Sequence, residues 1–319
     1  MVFANATDGC VVGMCGTILH TTNAGNTWTA QSNGTTNSLY GVSFADGQNG
    51  WVVGWGGTIV HTADAGAHWR SQYSDTTNDF GSVSFVDTVN GWVSGERKIL
   101  RTTNGGAAWT EQYTTVTYLL RRVNFTDSQH GWVVGQDQQY HGAILHTDDG
   151  GATWSAQASI ATHQLHGLAM ADRNNGWAVG DSGTILHTTD GGSDWSLQSS
   201  GTGVSLTSIA VVNRDTAWAV TDWGSILHTA DGGETWNTQA TGLQVSFLDV
   251  AFADANNGWS VGDEGKIAFT TDGGNSWIVQ QVGPWTSLNG VAATGTNSVW
   301  GSGPGRRNSA LFIGFVDTA

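Results

Sequence analysis

The chain has 319 residues, a formal net charge of −15, 46 glycines, 17 tryptophans and only 2 prolines. That charge argues against a nucleic-acid partner, which needs clustered Lys and Arg against phosphates, and disfavours adhesion to anionic lipid. No run of 18 apolar residues exists, so membrane insertion through a helix is not expected.

Taken in order, the chain opens on Met1-Val2-Phe3-Ala4-Asn5, with neither a charged n-region nor an apolar h-region. A signal peptide is therefore not read here, although the chain starts inside a repeat and an upstream leader stays open. Cys10 takes a strand position that other repeats give to Trp, and Cys15 lies in the following loop. Two cysteines five apart are no disulfide framework. A free, buried Cys10 is expected, with a local disulfide as the alternative.

From there a unit of about 41 residues recurs to the end, and each copy reads as four strands. The first is Val-x-Phe-like, as in Val42 to Phe44 and Val83 to Phe85. The second is Gly-Trp-Val-Val-Gly-like, with Trp51, Trp92, Trp132, Trp177, Trp218, Trp259 and Trp300. The third is Thr-Ile-Leu-His-Thr, and the fourth runs Trp-x-x-Gln, as in Trp195 to Gln198. Between third and fourth strands stands Thr-x-Asp/Asn-x-Gly-x-Thr/Ser-Trp. Its acid or amide is Asn23, Asp64, Asn104, Asp149, Asp190, Asp231 and Asp272. Such a side chain accepts from backbone N–H groups a few residues on and closes a turn. The Gly two places later suits a positive φ, and the Trp brings a large apolar face to bury. A single carboxylate per copy is a poor calcium site, so no metal and no cofactor are expected. His20, His61, His146, His187 and His228 recur at one third-strand position. One per unit, they read as packing positions rather than ligands of a shared ion, which would need about 2 Å to each nitrogen.

These residues carry a resemblance. The repeated turn is the Asp-box, or BNR-type, motif. With the Gly-Trp-Val-Val-Gly and Gly-Thr-Ile-Leu-His-Thr strands (Gly50 to Gly54, Gly183 to Thr188), the chain resembles the photosystem II assembly and stability factor-like family of β-propellers. The resemblance implies an all-β propeller of four-stranded antiparallel blades. It also implies a protein-binding scaffold whose basic patch holds a membrane-protein subunit during assembly. Asp-boxes occur equally in sialidases and lectins, so the motif specifies fold more than activity.

Length alone suggests two domains, but stacked repeats bury a core only together. One domain over residues 1–319 is expected. Counting first strands gives eight units, the last lacking its fourth strand, so eight blades are preferred and seven are the alternative.

The antiparallel order puts the loops between second and third strands, and the connections from fourth to first strands, on one face. Departures from the repeat gather there. Of the 17 tryptophans, 14 are in register; the other three, Trp55, Trp223 and Trp285, fall in these loops. Five of the 11 basic residues fall between Arg97 and Arg122, including Arg97, Lys98, Arg121 and Arg122. A positive spot on an acidic protein would steer an acidic segment of a protein partner, and variable loops on a rigid scaffold are where binding usually resides. The expected function is a non-catalytic, monomeric protein-binding scaffold acting through this face. Its expected location is outside the cytoplasm: extracellular, periplasmic or thylakoid-lumen-like. The alternative is a secreted lectin or adhesin stacking those tryptophans on sugar rings. A glycoside hydrolase-like protein is weaker. The only prolines, Pro284 and Pro304, leave no Arg-Ile-Pro motif, and Asp181, Asp222 and Asp263 repeat at one loop position on separate units rather than forming a carboxylate pair across a cleft.

Overall fold

Second strands are apolar along their whole length because both of their faces are covered. All residues of the six second strands at Gly50–Gly54, Gly91–Gly95, Gly131–Gln136, Gly176–Gly180, Ala217–Thr221 and Gly258–Gly262 are buried. Fourth strands are short and show mostly exposed residues. This gradient from covered to open is what stacked, radially arranged sheets require. The computed structural model describes residues 9–21, 29–112, 119–157, 161–252, 254–281, 287–293 and 299–302.

The described chain begins with a three-stranded sheet of β1 (Gly9–Gly13), β2 (Thr17–Thr21) and β3 (Thr29–Ala30). Six four-stranded antiparallel blades follow. Blade I holds β4 (Leu39–Phe44), β5 (Gly50–Gly54), β6 (Ile59–Thr62) and β7 (Arg70–Gln72). Blade II holds β8 (Phe80–Phe85), β9 (Gly91–Gly95), β10 (Lys98–Thr102) and β11 (Thr110–Gln112). Blade III holds β12 (Leu120–Phe125), β13 (Gly131–Gln136), β14 (Gly142–Thr147) and β15 (Ser155–Ala156). Blade IV holds β16 (Leu165–Met170), β17 (Gly176–Gly180), β18 (Ile185–Thr188) and β19 (Ser196–Gln198). Blade V holds β20 (Leu206–Val211), β21 (Ala217–Thr221), β22 (Ile226–Thr229) and β23 (Asn237–Gln239). Blade VI holds β24 (Phe247–Phe252), β25 (Gly258–Gly262), β26 (Lys266–Thr270) and β27 (Ile278–Gln281). A hairpin of β28 (Gly290–Ala293) and β29 (Val299–Ser302) ends the described chain.

The fold is therefore a six-bladed arrangement, which corrects the expectation of eight blades and its alternative of seven. The count of first strands gave the first and last units a blade each. Among the described residues the first and last units contribute a three-stranded sheet and a hairpin, and these pack on each other through β1 and β29. β28 lies against β24 and β1 against β4, so both occupy the space between blades VI and I.

Blades are joined by the tryptophans and the Asp-boxes. The Phe85 ring of blade II stacks on Trp51 of blade I at 3.5 Å and 7°. Phe125 on Trp92 and Phe252 on Trp218 repeat this geometry. The glycine that opens each of these first-strand partners makes room for the ring: a Cβ on Gly91 would come within 2.3 Å of Phe85. In the Asp-box of blade I, Asp64 Oδ1 accepts from the His68 N–H at 2.8 Å and from Thr62 Oγ1 at 2.8 Å. Asn104, Asp149, Asp190, Asp231 and Asp272 hold their turns in the same way; Asn23 lies outside the described residues. The turn then docks on the preceding blade. Gln72 Nε2 donates to the Gly105 carbonyl at 2.9 Å, and Trp109 Nε1 donates to Gln72 Oε1 at 3.2 Å. Gln198 and Gln239 repeat the clasp on the next blades. Gly233, at φ +84°, needs both its positive φ and its missing side chain, since a Cβ would sit 1.9 Å from Gln198 Oε1.

The third-strand histidines lie on the same tryptophans. His61, His187 and His228 stack on Trp51, Trp177 and Trp218 at 4.6, 4.4 and 4.7 Å, and His146 tilts over Trp132 at 4.9 Å. The Nε2 atoms of His61 and His187 are buried without a hydrogen bond. Burial holds all four below the usual histidine value of 6.5, against weaker opposing effects of Asp46 and Asp64 on His61, Asp148 on His146 and Asp231 on His228. His130 adds to the depression of His146. A lowered folded pKa favours the neutral ring in the native state, so this stabilisation is complete above pH 6.5 and is lost as pH falls towards the folded values. We expect the urea midpoint to drop between pH 7.5 and pH 5.5, and the drop to shrink in a His61→Gln/His187→Gln variant. An unchanged pH slope in that variant would show that other groups set the pH dependence.

Candidate functional site

The site is built by a defect that every blade repeats. The pairing of first with second strand slips by one residue at the start of β4, β8, β12, β16, β20 and β24. A bulge of this kind turns one side chain out of the ladder and re-aims it. The residues skipped are Tyr40, Gly81, Arg121, His166, Thr207 and Leu248. All six line one cavity of about 730 Å³ at the mouth of the central channel. The residue before each bulge is a constant, buried Leu or Phe: Leu39, Phe80, Leu120, Leu165, Leu206 and Phe247. The backbone thus repeats a position whose side chain does not repeat, which is how a symmetric frame presents an asymmetric surface.

Arg121 projects into this mouth. Oriented to satisfy its neighbours, the Gln164 amide oxygen accepts two N–H groups of Arg121 at 2.7 Å, and its nitrogen donates to Gln136 Oε1 at 2.6 Å. Burial lowers the Arg121 pKa, while Asp181 close by favours the charged guanidinium. Asp181 is itself held by His166, whose Nε2 stands 2.7 Å from Oδ1. Burial works against the Asp181 charge, but the hydrogen bond and charge of His166, with Ser205, outweigh it and keep the carboxyl below its usual range.

Arg122 turns inward. Its Nη2 donates to Asp249 Oδ1 at 2.6 Å and to Ser208 Oγ at 3.0 Å, and Ser208 Oγ donates to Asp249 Oδ1 at 2.6 Å. This bridge joins blades III, V and VI across the channel. It stands where the mouth gives way to a second cavity of about 240 Å³, lined further along the first strands by residues such as Ser82, Asn124 and Ala210. Lys98 pairs with Glu111 at 2.6 Å on the blade II surface. Arg97 stands beside it in the loop between β9 and β10, at φ +59°. The structure therefore brings Arg121 and Arg122 together at the mouth, sets Arg97 and Lys98 at its blade II rim, and already matches the charges of Lys98 and Arg122 within the chain.

Trp55 and Trp223 are 56% and 66% exposed, in the loops after the second strands of blades I and V. Trp285 lies outside the described residues. Tyr40, Tyr73 and Tyr140 are the other exposed aromatics among the described residues, and all three stand on this same face. Sequence reasoning missed them, as it missed Asp249 and every bulge position except Arg121. The available signal was the residue after each constant Leu or Phe at the start of a first strand, which changes character from unit to unit. Cys15 is a free, exposed thiol in the loop after β1, while the Cys10 side chain lies outside the described atoms. No helix among the described residues is long and apolar enough to cross a membrane.

Comparison with known families places this geometry. A family described as the photosynthesis system II assembly factor YCF48 matches over residues 26–115, 109–243 and 236–291. The chain belongs to this family. A solved structure described as YCF48 bound to D1 peptide is 25% identical, with a TM-score of 0.68 over 83% of this chain and 88% of that one. YCF48 from Cyanidioschyzon merolae is 21% identical, with a TM-score of 0.65 over 82% of this chain and 93% of that one. A structure of U3-55K, 10% identical with a TM-score of 0.68 over 82% of this chain and 87% of that one, shares the fold alone. A comparison with curated proteins gives no match. Membership makes the chain a propeller of the YCF48 assembly-factor family.

Proposed function

We propose that this chain is a non-catalytic, monomeric scaffold that holds a segment of a partner protein against the mouth face, outside the cytoplasm. The observation that carries the reading is the ring of six bulge residues, which gives a repeated frame one non-repeating cavity. The family supports it, as does the D1 peptide bound by the 25% identical YCF48. In this reading Arg97 and Arg121 meet acidic groups of the segment, with Lys98 and Arg122 behind them. Trp55 and Trp223 serve as rim anchors, in keeping with the weight that Trp and Arg carry at interfaces.

The test is titration of a labelled D1 peptide against the chain, Arg121→Glu and Trp55→Ala/Trp223→Ala, beside a glycan array. Saturable peptide binding weakened about tenfold or more in each variant, about 1.4 kcal/mol or more, is the expected result. A silent peptide with saturable, tryptophan-dependent glycan binding would overturn it in favour of a lectin, the reading that the exposed Trp55 and Trp223 also favour.

A further inference from the structure

The seam between blades II and III is built differently from its neighbours. Where blade I meets II, III meets IV, IV meets V and V meets VI, a fourth-strand glutamine closes the seam. Gln72, Gln157, Gln198 and Gln239 accept through Oε1 from the indole N–H of Trp109, Trp195, Trp236 and Trp277, in that order. Each amide oxygen lies over the second glycine of the Asp-box, 1.9 to 2.0 Å from where a Cβ of Gly106, Gly192, Gly233 or Gly274 would be. Gln112 holds the same register in blade II, pairing with Ile99 as Gln72 pairs with Ile59. Its amide nevertheless turns back, and Nε2 donates to the Thr110 carbonyl of its own strand at 3.1 Å.

Arg101 reaches into this seam from the third-strand position that His61 holds in blade I. Its guanidinium carbon lies 5.7 Å from the Trp92 ring centroid, and its Nη2 is 2.8 Å from where a Cβ of Gly150 would be. Over Gly151, the counterpart of Gly106, the first atoms that a Cβ would meet are Trp154 Nε1 and Trp92 Nε1, both at 3.2 Å. No amide oxygen fills that space. Trp92 Nε1 donates to the Gly150 carbonyl at 2.8 Å. Trp154 is 6% exposed, and its Nε1 is buried without a hydrogen bond, as is Arg101 Nε. Arg101 belongs to none of the ion pairs of the described residues. Asp149, next to these glycines, directs its oxygens to Thr147 and Thr153.

We propose that the seam between blades II and III binds a small monovalent anion of the chloride class, received by Trp154 Nε1 and the Arg101 guanidinium where the other seams hold a glutamine oxygen. Indole and guanidinium nitrogens only donate, so the missing partner is an acceptor. A water molecule would bring protons of its own into a seam whose nearby carbonyl, Gly150, already receives Trp92. An anion brings none and meets the charge of Arg101 as well as the open N–H groups. The space stands in for one amide oxygen, which favours a monatomic anion over sulfate or phosphate. The site lies apart from the mouth and does not depend on what the mouth binds.

The experiment is titration of chloride into the full chain, freed of halide in gluconate buffer at constant ionic strength, with the indole N–H signals followed by NMR and Trp154→Phe used to assign one of them. The expected result is a saturable shift of the Trp154 signal and a rise in melting temperature over the same chloride range, since a ligand of the folded state stabilises it. The Trp195 indole, already bonded to Gln157, should not move. Arg101→His gives blade II the residue of blade I and leaves room for Gln112 to turn in, so both responses should vanish in it. A Trp154 signal that stays fixed in the parent chain, moves no more than that of Trp195, or moves as far in Arg101→His would overturn the site. A fixed signal that shifts instead on Gln112→Ala would place the Gln112 amide in the seam and overturn it equally. The parent titration decides even where a variant fails to fold.

Discussion

Replacing Arg122 by alanine is expected to destabilise the chain by about 3 kcal/mol or more, because it strands a buried carboxylate. The Asp249 side chain is 4% exposed and that of Arg122 26%, so solvent can do little to replace the lost cation. Ser208 offers Asp249 one hydrogen bond, which satisfies an oxygen without neutralising it. The partners come from strands 127 residues apart, so the bridge ties blade III to blade VI directly instead of through the blades between. A urea titration should show a lower midpoint at unchanged slope, the signature of a stability change without a change in surface exposed. Arg122→Met/Asp249→Leu should recover most of the loss, since apolar replacement removes the unpaired charge as well as the pair. Lys98→Ala is the control: its partner Glu111 is 55% exposed, and such a pair contributes little. A change of less than about 0.5 kcal/mol for Arg122→Ala would mean that water reaches Asp249, and that the channel is open where the bridge now closes it.

The Asp-box spacing and the Gly-Trp-Val-Val-Gly strands were legible because each acts within a few residues. A carboxylate closing its own turn and a strand covered on both faces leave their marks locally. Blade number was not legible in the same way. It depends on where the first and last units go, and a first-strand motif such as that around Val291 does not say that. The candidate site was half legible. Trp55 and Trp223 stood out because they break the repeat, and so did the cluster from Arg97 to Arg122. What escaped was pairing: nothing near Arg122 points to Asp249, and nothing near His166 points to Asp181. The bulges escaped because a register slip shows only in the pairing of two strands. They decide that Arg121 faces the mouth and Arg122 the channel, so two adjacent arginines that look alike in sequence have different electrostatic surroundings.

Trp218→Ala should be among the most damaging single substitutions, at about 4 kcal/mol, because one side chain there serves two blades. Trp218 is fully buried in β21 of blade V. Its ring lies between His228 at 4.7 Å and Phe252 of blade VI at 3.5 Å. Its Nε1 donates to the carbonyl of Gly273, in the Asp-box turn of blade VI, at 3.2 Å. Gln239 donates to the same carbonyl at 2.9 Å and accepts from Trp277. The turn is thus held by two donors from blade V. Alanine opens a cavity between the blades and removes one of those donors together. Trp218→Phe separates the two effects. It keeps a stacked ring and loses only the N–H, so its expected cost is about 1 kcal/mol. Hydrogen exchange gives the second readout: the Gly274 N–H, bonded to Thr270 Oγ1 inside the turn, should lose protection in Trp218→Ala before amides of blade II do. Trp177 provides the contrast within the same fold. Its Nε1 donates to Gln198 of its own blade at 3.1 Å, so Trp177→Phe should leave the neighbouring Asp-box amides protected. Equal loss of protection in the two phenylalanine variants would show that ring packing alone joins the blades. A loss confined to Trp218→Phe would make the Asp-box the receptor of a hydrogen bond from the preceding blade, and the repeated turn an inter-blade joint as well as a local one.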